Sequence, residues 1–188
     1  MDFNELVKQN RSYRKFDNNY RLSREILTEL VKLARQTASA ANRQPLKYFL
    51  SCDKDTNDKI FTTLNWAGYL EDWEGPDIEE RPSGYIVILG DKEISEEYFC
   101  DPGIAMQTML LGAVNKGLGG CIFASIDREE LRKTLNLKEK FKILYVLALG
   151  KPTEEVKLEE MENNYKYWRD EQEVHHVPKR PLEELIIN

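Results

Sequence analysis

Asp101-Pro102-Gly103-Ile104-Ala105-Met106-Gln107-Thr108-Met109-Leu110-Leu111-Gly112-Ala113-Val114 is the stretch on which the fold turns. An aspartate followed by proline has the order of a helix cap and first turn, because proline's missing N–H costs nothing there. From Ile104 to Val114 the segment is apolar nearly all round, so this helix must bury more than one face. It lies either in the centre of the core or at a subunit interface, and both placements favour a compact α+β fold.

Working outward, Gly117-Leu118-Gly119-Gly120 follows this helix and opens an apolar run. A dinucleotide fingerprint has the reverse order, strand then glycines then helix, so these glycines read as a helix C-cap and tight turn. Tyr48–Cys52, Tyr85–Leu89 and Ile143–Leu149 are short β-rich runs that read as buried strands, the last closed by Gly150-Lys151-Pro152. Phe3, Leu6 and Val7 fall at helical spacing. Ser23 caps a second helix, which the apolar positions Ile26, Leu27, Leu30, Val31, Leu33 and Ala34 carry to Ser39, and Asp127, beyond the helix at Asp101, caps a fourth through Leu131 and Leu135. Charge dominates from Thr153 to Val174. The apolar tail Leu182–Ile187 should dock on a sheet edge, of its own subunit or of a neighbour.

The chain has 188 residues, 41% of them hydrophobic and 10% aromatic, which fits one folded domain over 1–188 with a C-terminal arm at about 175–188. A formal net charge of -6 with no basic stripe argues against nucleic acid. The apolar runs are too short to span a bilayer and the N-terminus has no signal-like segment, so a soluble, cytoplasmic protein is expected. Cys52, Cys100 and Cys121 are odd in number and widely spaced, and read as reduced thiols. His175 and His176 are adjacent, which turns their rings apart in a strand, and no metal site is expected.

Within this acidic chain, Arg11-Ser12-Tyr13-Arg14 near one end and Lys179-Arg180 near the other are local basic clusters. Two guanidinium forks and a hydroxyl in one short turn suit a phosphate monoester, or else form an ordinary solvated patch. Asn42 and Gln44, in the loop after the second helix, carry amides that suit a heterocycle edge or serve a turn. Trp66, Tyr69, Leu70 and Trp73 fall at helical spacing and read as core. The segment Trp66–Pro82 combines large rings with Gly75, Pro76 and Pro82 at turns, and either covers a pocket or packs its own rings.

The order of five segments resembles the nitroreductase family of FMN-dependent enzymes: Arg-Ser-x-Arg-x-Phe at Arg11–Phe16, Ser-x-x-Asn-x-Gln-Pro at Ser39–Pro45, Asp-x-Gly-x-Ala-x-Gln at Asp101–Gln107, Gly-Leu-Gly at Gly117–Gly119, and Lys-Arg before the tail. The resemblance implies a mostly antiparallel sheet flanked by helices, in an intertwined homodimer with exchanged C-terminal arms and FMN at the interface. It implies that Arg11 and Ser12, with Tyr13 in the same segment, hold the phosphate and ribityl chain, that Arg14 lies near the pyrimidine edge, and that Lys179 and Arg180 complete the phosphate clamp. Ser39, Asn42 and Gln44 would reach the flavin from the opposite subunit, and the backbone of Phe123, Ala124 and Ser125 would face it. Asn10, Ala38 and Leu46 depart from the residues common in the family.

The implied activity is ping-pong electron transfer from NAD(P)H through flavin N5 to a nitroaromatic, quinone or similar small acceptor. Arg14 would act as an electrostatic stabiliser, and no protein nucleophile is needed. The alternatives are a non-catalytic flavin-binding or regulatory dimer, or a relative that uses reduced flavin for another reaction.

Overall fold

The computed structural model describes residues 2–70 and 73–188. Helix α1 (Phe3–Gln9) is capped by Asp2, and α2 (Arg24–Ala34) by Ser23, whose hydroxyl accepts from the Ile26 N–H. Strand β1 (Leu46–Ser51) leads to α3 (Lys54–Phe61) and, after a long loop, to β2 (Gly84–Asp91). Then come α4 (Asp101–Val114), β3 (Gly119–Phe123), α5 (Arg128–Thr134) and β4 (Phe141–Gly150). The chain closes with β5 (Val156–Glu160), β6 (Trp168–Arg169), β7 (His175–Lys179) and α6 (Leu182–Leu185).

Four strands form an antiparallel sheet in the order β1-β2-β4-β3. Apart from Asp91 and Lys142 at one end, its central strands are apolar throughout because both faces are covered. Ile86, Ile88, Leu147 and Leu149 point to the side packed by α2 and α4. Tyr85, Val87, Leu89, Val146 and Ala148 point to the other side, toward Ile60 of α3, Leu131 of α5 and Trp66. Leu144 is the extra residue of a bulge between Ile88 and Leu89, and Arg128 of α5 donates to the exposed carbonyls of Ile143 and Leu144. A second sheet, β5-β7-β6, pairs β5 with β7 in parallel and β6 with β7 antiparallel.

Helix α4 buries residues on most of its circumference, from Pro102 and Ala105 to Ala113 and Val114, as its composition requires. Its end turns at Gly117, whose φ of +72° lies in the left-handed region, while the Leu118 N–H bonds back to the Ala113 carbonyl.

The structure departs from the sequence reading at four places. Helix α2 ends at Ala34 rather than at Ser39, because the Thr37 N–H and hydroxyl both turn back onto the Ala34 carbonyl. Asp101 is the first residue of α4 and not its cap, since its carboxylate is engaged elsewhere. Trp66, Tyr69, Leu70 and Trp73 do not lie on a helix. Trp66 is buried against Phe123 and Trp73, whereas Tyr69 is exposed, and Glu71 and Asp72 lie outside the described residues. The charged stretch after Thr153, to which the sequence assigns no element, supplies β5 and β6, and of the two dockings expected for the tail Leu182–Ile187 the one on its own chain is not made, with Ile187 96% accessible.

Candidate anion-binding site

After α1 the chain runs through Arg11–Phe16 beside β3, an edge strand of the larger sheet. The Tyr13 N–H donates to the Gly120 carbonyl at 3.0 Å, and the Tyr13 hydroxyl donates to the Gln9 carbonyl at 2.9 Å. Gly119 permits this packing because a Cβ there would meet the Tyr13 ring at 2.5 Å and the Pro152 side chain at 2.7 Å. From the other side, Glu154 holds the same segment. Its Oε1 accepts the backbone N–H groups of Arg14 and, at 3.1 Å, of Lys15, while its Oε2 accepts from Arg169 at 2.9 Å. The Glu154 side chain is only 2% exposed, so a buried charge is matched by a buried cation and two backbone donors.

These constraints shape a cleft of about 330 Å³ lined by Asn10, Arg11, Ser12, Arg14, Gln107, Tyr167, His175 and Lys179, with Val7 and Val177 as its apolar wall. Among the described residues it carries three permanent cations and no carboxylate. That is an unusual concentration of one sign in a chain of net charge -6. The Arg11 guanidinium donates to the Val7 carbonyl at 2.7 Å, but its buried Nε has no protein partner among the described residues. Burial lowers the Arg11 pKa from its usual value, as expected for a partly desolvated cation. Arg14 is buried over the Tyr167 ring at 4.8 Å, with Nη1 donating to the Ser12 carbonyl and to His175 Nε2, each at 3.2 Å.

The loop 39–44 lies at a second cavity, of about 220 Å³, lined by Ser39, Gln44, Tyr48 and Asp101 among others. Buried Asp101 accepts from the Ser39 hydroxyl at 2.5 Å and from the Ala40 N–H at 2.9 Å, and Ser39 Oγ in turn accepts the Gln44 N–H at 2.9 Å. This anchoring holds Ala41, Asn42 and Gln44 at φ of 50°, 54° and 51°, a costly conformation for side-chain-bearing residues. The Gln44 amide donates to Asn42 Oδ1 at 3.0 Å, so the two amides act as one unit.

Arg11, Ser12, Arg14 and Lys179 therefore meet in one cleft, and Ser39 and Gln44 line another. Tyr13 packs beneath its segment and is not a lining residue. Arg180 turns away to pair with Glu184 at 3.0 Å. Phe123, Ala124 and Ser125 line neither cavity: Phe123 packs against Trp66, the Ala124 carbonyl accepts from Arg128, and Ser125 Oγ accepts from the Asn65 amide.

Sequence reasoning assigned no role to Gln107, Tyr167 or His175. For His175 a signal existed, since His175, Val177 and Lys179 alternate along β7 and all three face the cleft. Pro178 within that strand hid its β character.

The model of the nitroreductase family matches residues 7–151. A Bacillus subtilis relative named "Putative NAD(P)H nitroreductase YdgI" is 24% identical and covers 82% of this chain and 90% of its own length. The crystal structure of a nitroreductase family protein from Clostridium difficile 630 superposes with a TM-score of 0.71 at 20% identity, covering 100% of this chain and 98% of that one. A further neighbour, from Exiguobacterium sibiricum 255-15 and solved in complex with FMN, has a TM-score of 0.67 at 16% identity, covering 82% of this chain and 90% of its own. With a family match over most of its length and the same fold as these structures, the chain belongs to the nitroreductase family.

Proposed function

We propose that this protein is an FMN-dependent oxidoreductase that passes electrons from NAD(P)H to a nitroaromatic, quinone or similar small acceptor, donor and acceptor reacting in turn. One observation carries the reading: the cleft lined by Arg11, Ser12, Arg14 and Lys179 is cationic, holds no carboxylate among the described residues, and leaves a buried guanidinium nitrogen without a partner. This donor set fits a phosphate monoester with polar groups attached. The FMN in the Exiguobacterium sibiricum relative and the names of the curated relatives support the same cofactor and donor.

When bound, FMN supplies the redox-active ring system that takes a hydride from the nicotinamide and delivers electrons onward. The protein's own work is to bind, orient and set charge. Arg11, Ser12 and Lys179 would hold the phosphate, with the Lys179 end of β7 fixed by its pairing to β5. Arg14 is buried and immobilised by the Ser12 carbonyl and His175, so it would favour whichever bound state carries more negative charge.

We further infer a homodimer. The exposed Leu182, Leu185, Ile186 and Ile187 would be covered by a second copy of this chain, and the Ser39–Gln44 loop, pinned in a costly conformation at a separate cavity, would complete the site of the partner.

The test is the visible spectrum of the purified or FMN-reconstituted protein before and after anaerobic addition of NADH and of NADPH. A flavin band bleached by either nucleotide, with turnover on a quinone, is the expected result. Tight FMN that neither nucleotide reduces would replace the reductase with a flavin-binding module, and failure to bind FMN would overturn the reading.

A further inference from the structure

Strand β7 sets two adjacent histidines on opposite faces, and their partners fix opposite protonation states. His176 meets Glu159 Oε1 at 2.7 Å through Nδ1 and Asp170 Oδ2 at 3.0 Å through Nε2. Ionised carboxylates only accept, so both ring nitrogens must donate and His176 is an imidazolium. His175 is 1% exposed, and its Nε2 lies 3.2 Å from Arg14 Nη1. A guanidinium only donates, so this nitrogen must accept, which leaves the single ring proton on Nδ1. Nδ1 has no partner among the described residues, so the arginine alone decides the tautomer.

We propose that His175 is a positioning residue for Arg14: its neutral ring accepts from the guanidinium and holds it in the cleft, so that anion affinity falls when the acceptor is removed. The identity of the anion as FMN rests on the function proposed above, but the Arg14–His175 coupling does not.

The surroundings of His175 enforce the neutral form. Arg14 faces it from the segment beside β3, Arg169 is its register partner on β6, and charged His176 is its neighbour on β7. Tyr167 packs on the ring at 5.0 Å between centroids, and the Glu155 carbonyl accepts the His175 backbone N–H at 2.9 Å. The nearby carboxylate, Glu154, is already occupied by Arg169 and the backbone of Arg14 and Lys15. Burial first, then Arg14, Arg169 and His176, pushes the His175 pKa down to about 4. A proton gained below that pH would remove the acceptor and add a cation beside two arginines.

Two measurements test this. Nitrogen NMR of the histidine-labelled protein without FMN, at pH 7, should show His175 neutral with its proton on Nδ1; an imidazolium or an Nε2–H tautomer would overturn the proposal. FMN dissociation constants from flavin fluorescence form a double-mutant cycle at the same pH. His175→Phe, which keeps an aromatic ring and removes the acceptor, should weaken FMN about tenfold. His175→Gln, with an amide carbonyl to accept, should recover part of that loss. The double variant with Arg14→Ala should bind no more weakly than Arg14→Ala alone, whereas independent, multiplying effects would overturn the proposal. If His175→Phe does not fold, His175→Leu, which also lacks an acceptor, completes the cycle. A wild-type protein that binds no FMN would defeat the functional reading, and the tautomer measurement would still decide this one.

Discussion

The two sheets of this chain are held by different forces. The four-stranded sheet is sealed by apolar side chains on both faces, with Ile86, Ile88, Leu147 and Leu149 fully buried. The three-stranded sheet is tied by charge and ring stacking. Glu154 pairs with Arg169, Arg169 lies over Trp73 at 4.4 Å, and His176 sits between Glu159 and Asp170 while stacking flat on Trp168 at 5.0 Å. The cleft draws on both, with Arg11, Ser12 and Arg14 alongside the first sheet and His175 and Lys179 on the second. Stability of the fold and geometry of the site are therefore separable, since solution conditions that leave apolar burial intact can loosen one wall of the cleft.

The largest expected effect breaks the first sheet. Leu147→Ala should destabilise the whole chain by about 4 kcal/mol, because the cavity opens in a core with no room to collapse. A urea melt should show this as a lower midpoint with one cooperative transition. Glu154→Gln is expected to cost less, about 2–3 kcal/mol, by leaving Arg169 buried with half its partner. Its loss should be local, seen as faster amide exchange across β5–β7 while β2 and β4 stay protected.

The smallest effect sharpens the comparison through pH. Hydrogen bonds that His176 donates to Asp170 and Glu159 raise its pKa above the usual value. A base with a raised folded pKa stabilises fully below its unfolded pKa of about 6.5 and loses that contribution as pH climbs through the folded value. Protection across β5–β7, measured against the intrinsic exchange rate at each pH, should therefore fall on the alkaline side and not at pH 6, and His176→Gln should abolish that fall.

The larger sheet was readable because burial on both faces writes itself as continuous apolar runs at Tyr85–Leu89 and Ile143–Leu149, and because Ser23 and Asp127 are true caps. The smaller sheet was not, because its strands are stabilised by partners distant in sequence. Val156-Lys157-Leu158-Glu159-Glu160 reads as solvated charge until His176 is placed beside it. The same reason divides the site. Arg11, Arg14 and Lys179 announce themselves by charge, and Ser12 by the hydroxyl it sets between two of them, whereas His175 matters only through the arginine folded against it. Asp101 looked like a cap, but the sequence could not show that its carboxylate would be taken by Ser39 and Ala40.

The central claim is that the cationic cleft is a phosphate clamp, and it is tested most directly by comparing FMN with riboflavin, which differ only by the phosphate. Fluorescence-quenching titrations at pH 7 should show FMN bound at least a hundredfold more tightly, roughly the worth of two charge-assisted contacts. Arg11→Ala and Lys179→Ala should each narrow that gap while barely changing riboflavin. Equal affinity for the two flavins, or a gap that survives both substitutions, would contradict the account.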